Sequence, residues 1–577
     1  MTPPPRRREP PPWLLPLSGA LAEALLRLYG QPADPPLVEL IEALTLALER
    51  GELTLNLRGP APPGVHTSDW PDAHRAALAA SPLARDPRSP LVVEDGRVGW
   101  RRWLQLRSAV LAALVARAAR VAPAPATPAG DESLDPLQRQ AIRTALERNL
   151  LVLAGGPGTG KTSTVAHLLE AAARDGDGAV IQLAAPTGKA AARLRAATGG
   201  RWPCGTLHQL LESRGDGTFR RHRQRPLSLD LLVVDEVSMV DLALMKALLD
   251  ALPNQARLVL VGDPSQLPPV APGAPLRDLL SAAHRPALAE AVVTLRTTWR
   301  NDGAIATVAA ALRERIETAG EAPGAAVSDV PGGEVLRDGA ADPLDALRPL
   351  LRDLGADANL RWCQEAPGPL PAAVRQRLLD HLRRLRAAAD ACVPGGDQGW
   401  REVLAARDAF LLLTPRHRGP WGAHAVHREL LGEESAAALL RWPSGTPVIC
   451  VRNLHDAGLS NGDLGVLVAR EGERWLLFGQ EEPLWIHPAR VSGALEPALA
   501  LTVHKAQGSE SHEVMVLLPG PDPVDPRLLY TALTRARQRA WLFTPPDPGA
   551  ATPPSPETPG QRSGLPQRRR KAAKKVI

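Results

Sequence analysis

A few short segments of this 577-residue chain carry residue types at spacings that could do phosphate chemistry. The apolar run 150–154 ends in Gly155-Gly156-Pro157-Gly158-Thr159-Gly160-Lys161-Thr162. It reads as a buried strand, a glycine-rich turn, and a helix that starts at a lysine and a threonine. Backbone N–H groups in such a turn can wrap the phosphates of a nucleoside triphosphate such as ATP, and the helix N-terminus adds a positive dipole end. Lys161 would reach the β- and γ-phosphates, and the Thr162 hydroxyl would ligate Mg²⁺. Asp235-Glu236 closes a second apolar run. After a phosphate loop, Asp235 would hold Mg²⁺ through water, and Glu236 would orient and deprotonate the attacking water. Gln266, in the string 262–270, is a neutral amide suited to sensing the γ-phosphate. Arg300 and Arg535 are candidate guanidinium groups for the charge on a transferring phosphoryl group. Each has a plainer reading: a solvated strand end, a proline-stiffened loop, two surface arginines.

Lysine usage points the same way. Among 68 Lys and Arg residues, the lysines are Lys161, Lys189, Lys246, Lys505, Lys571, Lys574 and Lys575. Three of them (Lys161, Lys189 and Lys505) sit in glycine-flanked polar turns. A compact ammonium is not replaceable by a planar guanidinium where a cavity is shaped for a point charge. The net charge of +6 is less informative than it looks. Residues 546–577 hold seven basic and two acidic side chains and so supply +5 of it. Any surface for nucleic acid in the body must be a local groove. The four cysteines are far apart and form neither a zinc pattern nor a disulfide framework, which fits a cytoplasmic protein. No apolar run is long enough to span a bilayer, so no membrane role is expected. Leu21, Leu25 and Leu28 share one helical face, so the N-terminal apolar stretch reads as an amphipathic helix capped near Ser18 and stopped at Gly30.

These motifs need an α/β frame. Residues 150–154, 179–185, 231–234 and 258–261 are continuous apolar runs, as in a parallel sheet covered on both faces, and each ends in a polar motif at the carboxyl edge where α/β ligands bind. Residues 1–125 read as a mostly helical N-terminal docking domain, 126–340 as a first lobe, and 341–545 as a second lobe. A small β-barrel is inserted at about 443–497, with strands at 446–451, 464–469, 474–478 and 484–491. The tail 546–577 reads as disordered.

Taken in order, the motifs resemble the superfamily 1 helicases. They are 155–162, 183–191, Thr206-Leu207-His208-Gln209-Leu210, Asp235-Glu236-Val237-Ser238-Met239, 262–270, 501–509 and 530–537. Segments 412–422, 445–448 and 461–465 make the RecD family the best match within them. The resemblance implies two RecA-like P-loop lobes, an SH3-like character for the inserted barrel, and ATP with Mg²⁺ as cofactors. It implies a 5′→3′ single-strand DNA motor in a heterotrimer, exodeoxyribonuclease V, beside a RecB-like 3′→5′ helicase-nuclease and a RecC-like scaffold. It places Thr187, Lys189, Thr206, His208, Thr502 and His504 along the DNA backbone, and Gln138 against adenine. Hydroxyls, imidazole and ammonium suit that task, since they bond phosphate oxygens without reading bases. Helix caps and loop polar groups are the competing roles. Arg300 and Arg535 would arrive from the second lobe. Trp299 stands where relatives carry tyrosine or phenylalanine. No carboxylate cluster with metal spacing follows the motor motifs, so no nuclease site is expected in this chain. The alternatives are a free-standing 5′→3′ helicase, a DNA-gripping subunit with a vestigial ATPase, and a P-loop kinase or remodeller. The last has no use for the segment 502–509.

Overall fold

The computed structural model describes residues 17–62, 65–66, 69–121, 134–175, 178–281, 284–297, 303–321, 343–396, 398–432, 439–470, 472–479, 482–491, 493–520 and 524–546. Arg300, Trp299 and the basic tail lie outside these. The described residues form four sheets.

Near the N-terminus, helices α1 (Leu17–Leu28), α2 (Pro35–Glu49), α3 (Asp72–Ala80) and α4 (Pro82–Arg85) accompany strands β1 (Thr54–Asn56), β2 (Leu91–Glu94) and β3 (Arg97–Trp100). The strands pair antiparallel in the order β1-β3-β2. Leu40, Ile41 and Leu44, one face of α2, bury against Leu55 and Val98. Ser18 lies within α1, and Gly30 takes the left-handed conformation just past its end (φ 62°). Helix α5 (Arg101–Ala118) leaves this unit. Its Val110, Leu111 and Leu114 join the core of the next sheet. There the buried Arg117 donates to the carbonyls of Ala256 (2.6 Å) and Pro253 (3.0 Å). A second tie runs from Gly273 N–H to the carbonyl of Gly51, in the turn after α2 (3.1 Å).

The next sheet is six-stranded and parallel throughout. Its elements are α6 (Pro136–Glu147), β4 (Leu150–Gly155), α7 (Lys161–Asp175), β5 (Ile181–Ala185), α8 (Gly188–Ala197), β6 (Cys204–Thr206), α9 (Leu207–Leu210), β7 (Leu231–Val234), α10 (Leu242–Ala251), β8 (Arg257–Gly262), α11 (Pro275–Leu279), α12 (Arg285–Leu288) and β9 (Val292–Leu295). The order is β6-β5-β7-β8-β4-β9. The unbroken apolar runs follow from two cores, one per face. Leu150, Val152, Leu232, Val234, Leu258 and Leu260 bury on one side. Leu151, Leu153, Leu231, Val233, Val259 and Val261 bury on the other. Side chains alternate across a strand, so the central strands of a sheet covered twice are apolar on both faces.

The second lobe comprises α13 (Ala304–Glu321), α14 (Pro343–Arg352), β10 (Leu360–Gln364), α15 (Ala372–Ala391), α16 (Trp400–Arg407), β11 (Phe410–Thr414) and α17 (Ala423–Leu431). The insertion follows: β12 (Pro447–Cys450), β13 (Leu464–Arg470), β14 (Glu473–Gly479), β15 (Pro483–Ile486) and β16 (Leu495–Pro497). These pair antiparallel in the order β15-β14-β13-β12-β16. The strand expected over 484–491 ends at Ile486. Pro488 has no N–H to pair, and Pro488–Val491 turns as a 3₁₀ helix. The lobe resumes with β17 (Leu501–Thr502), β18 (Ser511–Leu517), α18 (Pro526–Leu533) and β19 (Ala536–Thr544), giving the parallel sheet β10-β19-β18-β11-β17. Helix α13 precedes residue 340 in sequence, yet its Ile305, Val308, Leu312 and Ile316 pack with Leu529 and Leu533 in the core of this second sheet.

Candidate nucleotide site and strand track

The phosphate loop forms because a fully buried strand, β4, must turn sharply into α7. Gly158 and Gly160 take positive φ, 75° and 82°, which a side chain would strain. A Cβ on Gly155 would sit 2.7 Å from the Thr159 hydroxyl, which itself donates to the carbonyl of Gly156 (2.8 Å). Pro157 lies between these turn residues, and Thr162 is half-buried in the first turn of α7. Lys161 folds back over the loop. Its ammonium donates to the carbonyls of Gly155 (2.7 Å) and Gly156 (2.8 Å).

Strands β7 and β8 deliver carboxylates to the same sheet edge. Burial, then the neighbouring Glu236, push the Asp235 carboxyl up to about 6. One Asp235 oxygen accepts the Glu236 N–H (2.8 Å). Glu236 sits at φ 52°, a left-handed conformation that costs a non-glycine residue energy and clusters at functional positions. Asp263 follows β8 and is buried, which raises its pKa. It accepts from the Ser265 N–H (3.0 Å) and the Gln266 amide (3.2 Å). Hard oxygen donors, Thr162 hydroxyl and Asp235 carboxylate, suit Mg²⁺. A divalent cation would also restore the ionised form of a carboxyl that burial has pushed upward. The described residues include no group of three or more His, Cys, Asp or Glu able to hold a metal ion.

The second lobe closes on this edge through the loop after β8. Tyr530 Oη donates to Asp263 Oδ2 (2.9 Å), the Leu267 N–H donates to Thr531 Oγ1 (2.9 Å), and the Gln507 amide donates to the Leu267 carbonyl (2.9 Å). Thus Lys161, Asp235, Glu236 and Gln266 share one edge, and a turn of α18 reaches it. Arg535 does not point there. It is 2% exposed, and its donors go to the carbonyls of Thr531 (3.1 Å) and Ser509 (3.3 Å) and to Thr534 Oγ1 (3.5 Å), all in its own lobe. Gln138 closes a capping box at the start of α6. Its amide oxygen accepts the Asp135 N–H (3.1 Å), leaving one acceptor position on that oxygen.

Several of the residues expected along DNA lie at the ends of β5, β6 and β17, and three of their hydroxyls have local work. Thr187 caps α8 by accepting the Ala190 N–H (3.2 Å), Thr206 caps α9, and Thr502 Oγ1 accepts the Lys505 N–H (3.3 Å). A Cβ on Gly508 would lie 3.4 Å from Thr187 Oγ1, so the loop after β17 meets the N-terminus of α8. Lys189, Arg193, Gly508 and Arg537 line a cleft of about 360 Å³. Burial lowers Lys189 to about 8, against the opposing pull of Asp408 at 3.9 Å. His504 is also lowered by burial, and His208 packs at 5.9 Å from Phe219. Lys505 is paired with Glu496 of β16 (2.7 Å). The junction is bridged again by Glu510, which meets Arg193 of α8 (2.7 Å) and Arg537 (3.1 Å).

Sequence reasoning passed over Tyr530, Asp263 and Glu510 as individuals. Scarcity could have found the first, because the chain has only two tyrosines.

The profile of an AAA domain matches residues 138–272, and that of the UvrD-like helicase C-terminal domain matches 497–543. The chain is 38% identical to the RecBCD enzyme subunit RecD of Mycolicibacterium smegmatis, over 88% of this chain and 90% of that protein. The chain belongs to the RecD family. It is accordingly a superfamily 1 helicase with an ATP-binding loop. This RecD-family chain is also 33% identical to the ATP-dependent RecD2 DNA helicase of Deinococcus radiodurans, over 68% of its own length and 46% of that protein. A solved structure of Pif1 helicases at forked DNA is similar at 17% identity, covering 71% of this chain and 92% of that one with a TM-score of 0.40. No described helix is long and apolar enough to cross a membrane.

Proposed function

We propose that this chain is an ATP-driven 5′→3′ single-strand DNA translocase. In this reading it is the motor subunit of a cytoplasmic exodeoxyribonuclease V that processes double-strand ends beside RecB- and RecC-like partners. The observation that carries the motor reading is the loop 262–270. One end stands at the phosphate edge, where Asp263 accepts from Tyr530 of the other lobe, and further along Leu267 is held by Gln507 and Thr531 of that same lobe.

A triphosphate would draw the Lys161 ammonium from the loop carbonyls onto phosphate oxygens. Glu236, held in its left-handed conformation, would take a proton from the attacking water. Mg²⁺, held by Thr162 and Asp235, would supply charge neutralisation at the phosphates. Loss of the γ-phosphate would change what Gln266 and Asp263 bond, and that change would reach the second lobe through Tyr530 and Thr531. The same lobe carries Thr502, His504 and Gly508, of which Gly508 meets Thr187 and shares a cleft with Lys189. Closing and opening would then alternate the grip on a DNA backbone. The inserted antiparallel sheet, read as an SH3-like barrel, would flank the track. Its Asp463 already lies 2.9 Å from the Cβ position of Gly188. Arg300 and Arg535 remain candidates for phosphate contact, with a rearrangement of Arg535 required.

DNA-stimulated ATP hydrolysis and 5′-tailed duplex unwinding test this. Both are expected to vanish in Lys161→Ala, and unwinding that persists in that variant refutes the reading. The identity to the Deinococcus RecD2 helicase favours a second reading, a free-standing helicase. Processive unwinding by the isolated chain, with no co-purifying partners, would select it.

A further inference from the structure

We propose that Arg313 is the second-lobe cation that meets the terminal phosphates of the bound nucleotide; this rests on the motor reading above. Helix α13 packs into the second lobe through Ile305, Val308, Leu312 and Ile316. Arg313 projects from it across the junction. One guanidinium nitrogen, Nη1, lies 3.2 Å from the Cβ position of Gly156, in the phosphate loop of the first lobe. Tyr530 Oη lies 3.1 Å from the same point, with its proton given to Asp263. Arg313, Gly155, Gly156, Asp263, Ser265 and Arg296 line one cavity of about 240 Å³.

The end of the loop is set by Lys161. Its ammonium rests on the carbonyls of Gly155 and Gly156, the two residues that face Arg313. A lysine in this motif serves the β- and γ-phosphates. Arg313 therefore stands at the terminal-phosphate end. Its ion pair with Glu317 is long, 3.9 Å, and that carboxylate is 64% exposed, so the pair is weakly held and easily exchanged for phosphate. Arg535 by contrast is committed to backbone carbonyls of its own lobe. A guanidinium carried by one lobe and aimed at phosphate held by the other stabilises charge on the transferring group only when the lobes are closed. Arg313 thereby links hydrolysis to closure.

The test uses the full-length chain with Arg313→Gln and Arg313→Lys, and Lys161→Ala as reference. Affinity is measured for ADP and for ADP with aluminium fluoride, together with single-strand DNA affinity and the kcat and KM of DNA-stimulated hydrolysis. In Arg313→Gln, ADP and DNA affinity should stay within about twofold. Analogue affinity should fall at least tenfold, and kcat about a hundredfold, below the range for a sole arginine finger because other cations share the task. Arg313→Lys should recover part of both, because it keeps the charge but not the fork. Equal loss of ADP and analogue affinity, or of DNA affinity, would mean a structural role and overturn the proposal. So would unchanged kcat in both variants. If Lys161→Ala is inactive while the Arg313 variants are normal, this inference alone fails. If Lys161→Ala is active, the motor reading fails with it.

Discussion

Replacing Tyr530 with phenylalanine removes a single hydroxyl, and with it the bond from the second lobe to Asp263 (2.9 Å). Both groups are buried, Tyr530 at 2% and Asp263 at 1% exposure, so water does not replace the lost donor. A hydrogen bond to a charged acceptor contributes about 1.5–3 kcal/mol. Asp263 keeps the Ser265 N–H and the Gln266 amide, which favours the lower end. That corresponds to about a tenfold shift of the lobe junction toward open. The Leu267 amide reports this directly, since it donates across the junction to Thr531 Oγ1. Its hydrogen exchange should run about tenfold faster in Tyr530→Phe than in the parent at the same pH, for a junction that opens by about 1.4 kcal/mol. The effect has a signed pH dependence. Burial raises the Asp263 carboxyl, and the Tyr530 bond lowers it, so the variant raises it further. A carboxyl raised in the folded state favours folding at low pH, and that contribution is lost as pH rises through the raised value. Once protonated, Asp263 no longer needs the missing donor. The ratio of variant to parent exchange should therefore be largest above the raised pKa of Asp263 and shrink as pH falls through it. Tyr530 itself is raised well above the ordinary tyrosine value and stays protonated throughout. An exchange ratio of one at every pH would refute the claim that this bond holds the lobes together.

Two other perturbations follow from the strand side of the junction. Glu510→Gln removes the carboxylate that bridges Arg193 and Arg537. Breaking a buried pair costs several kcal/mol, but Arg193 is 31% and Arg537 48% exposed, so screening reduces the expected loss to about 1–2 kcal/mol, read as a lower melting temperature. Lys189, lowered to about 8 by burial, is charged at pH 7 and largely neutral at pH 9. Single-strand DNA affinity should then weaken by at most about tenfold over that interval, and Lys189→Arg should flatten the profile.

The first sheet was legible because its physics is local. Continuous apolar runs ending in polar strings required strands with two covered faces, and the alternate residues of β4, β7 and β8 divide between two cores as that demands. The phosphate loop was legible for the same reason, since its glycines answer to backbone angles. What connects the lobes was not. Helix α13 carries none of the motifs named in the sequence, and only three-dimensional packing assigns Ile305 and Leu312 to the second core and puts Arg313 beside Gly156. Arginine is so common in this chain that its type carried no signal at position 313, whereas lysine was rare enough to direct attention. Of those lysines, Lys505 is paired with Glu496. Thr187 and Thr206 cap helices and Thr502 holds a turn, and a helix cap and a phosphate contact ask for the same residue type.

The tie between Gly273 and Gly51 gives the loop after β8 a third attachment. A Cβ on Gly51 would lie 3.3 Å from the Pro269 carbonyl, so the turn after α2 rests directly on the proline-rich stretch whose other neighbours are Asp263 and Thr531. Prolines make that stretch stiff, and stiff segments pass displacement on instead of absorbing it. Force applied at the N-terminal unit would have only a few residues to travel before reaching Asp263 and Gln266, the residues proposed above to respond to loss of the γ-phosphate. A neighbour gripping that unit would hold a throttle on the engine without touching either fuel or track.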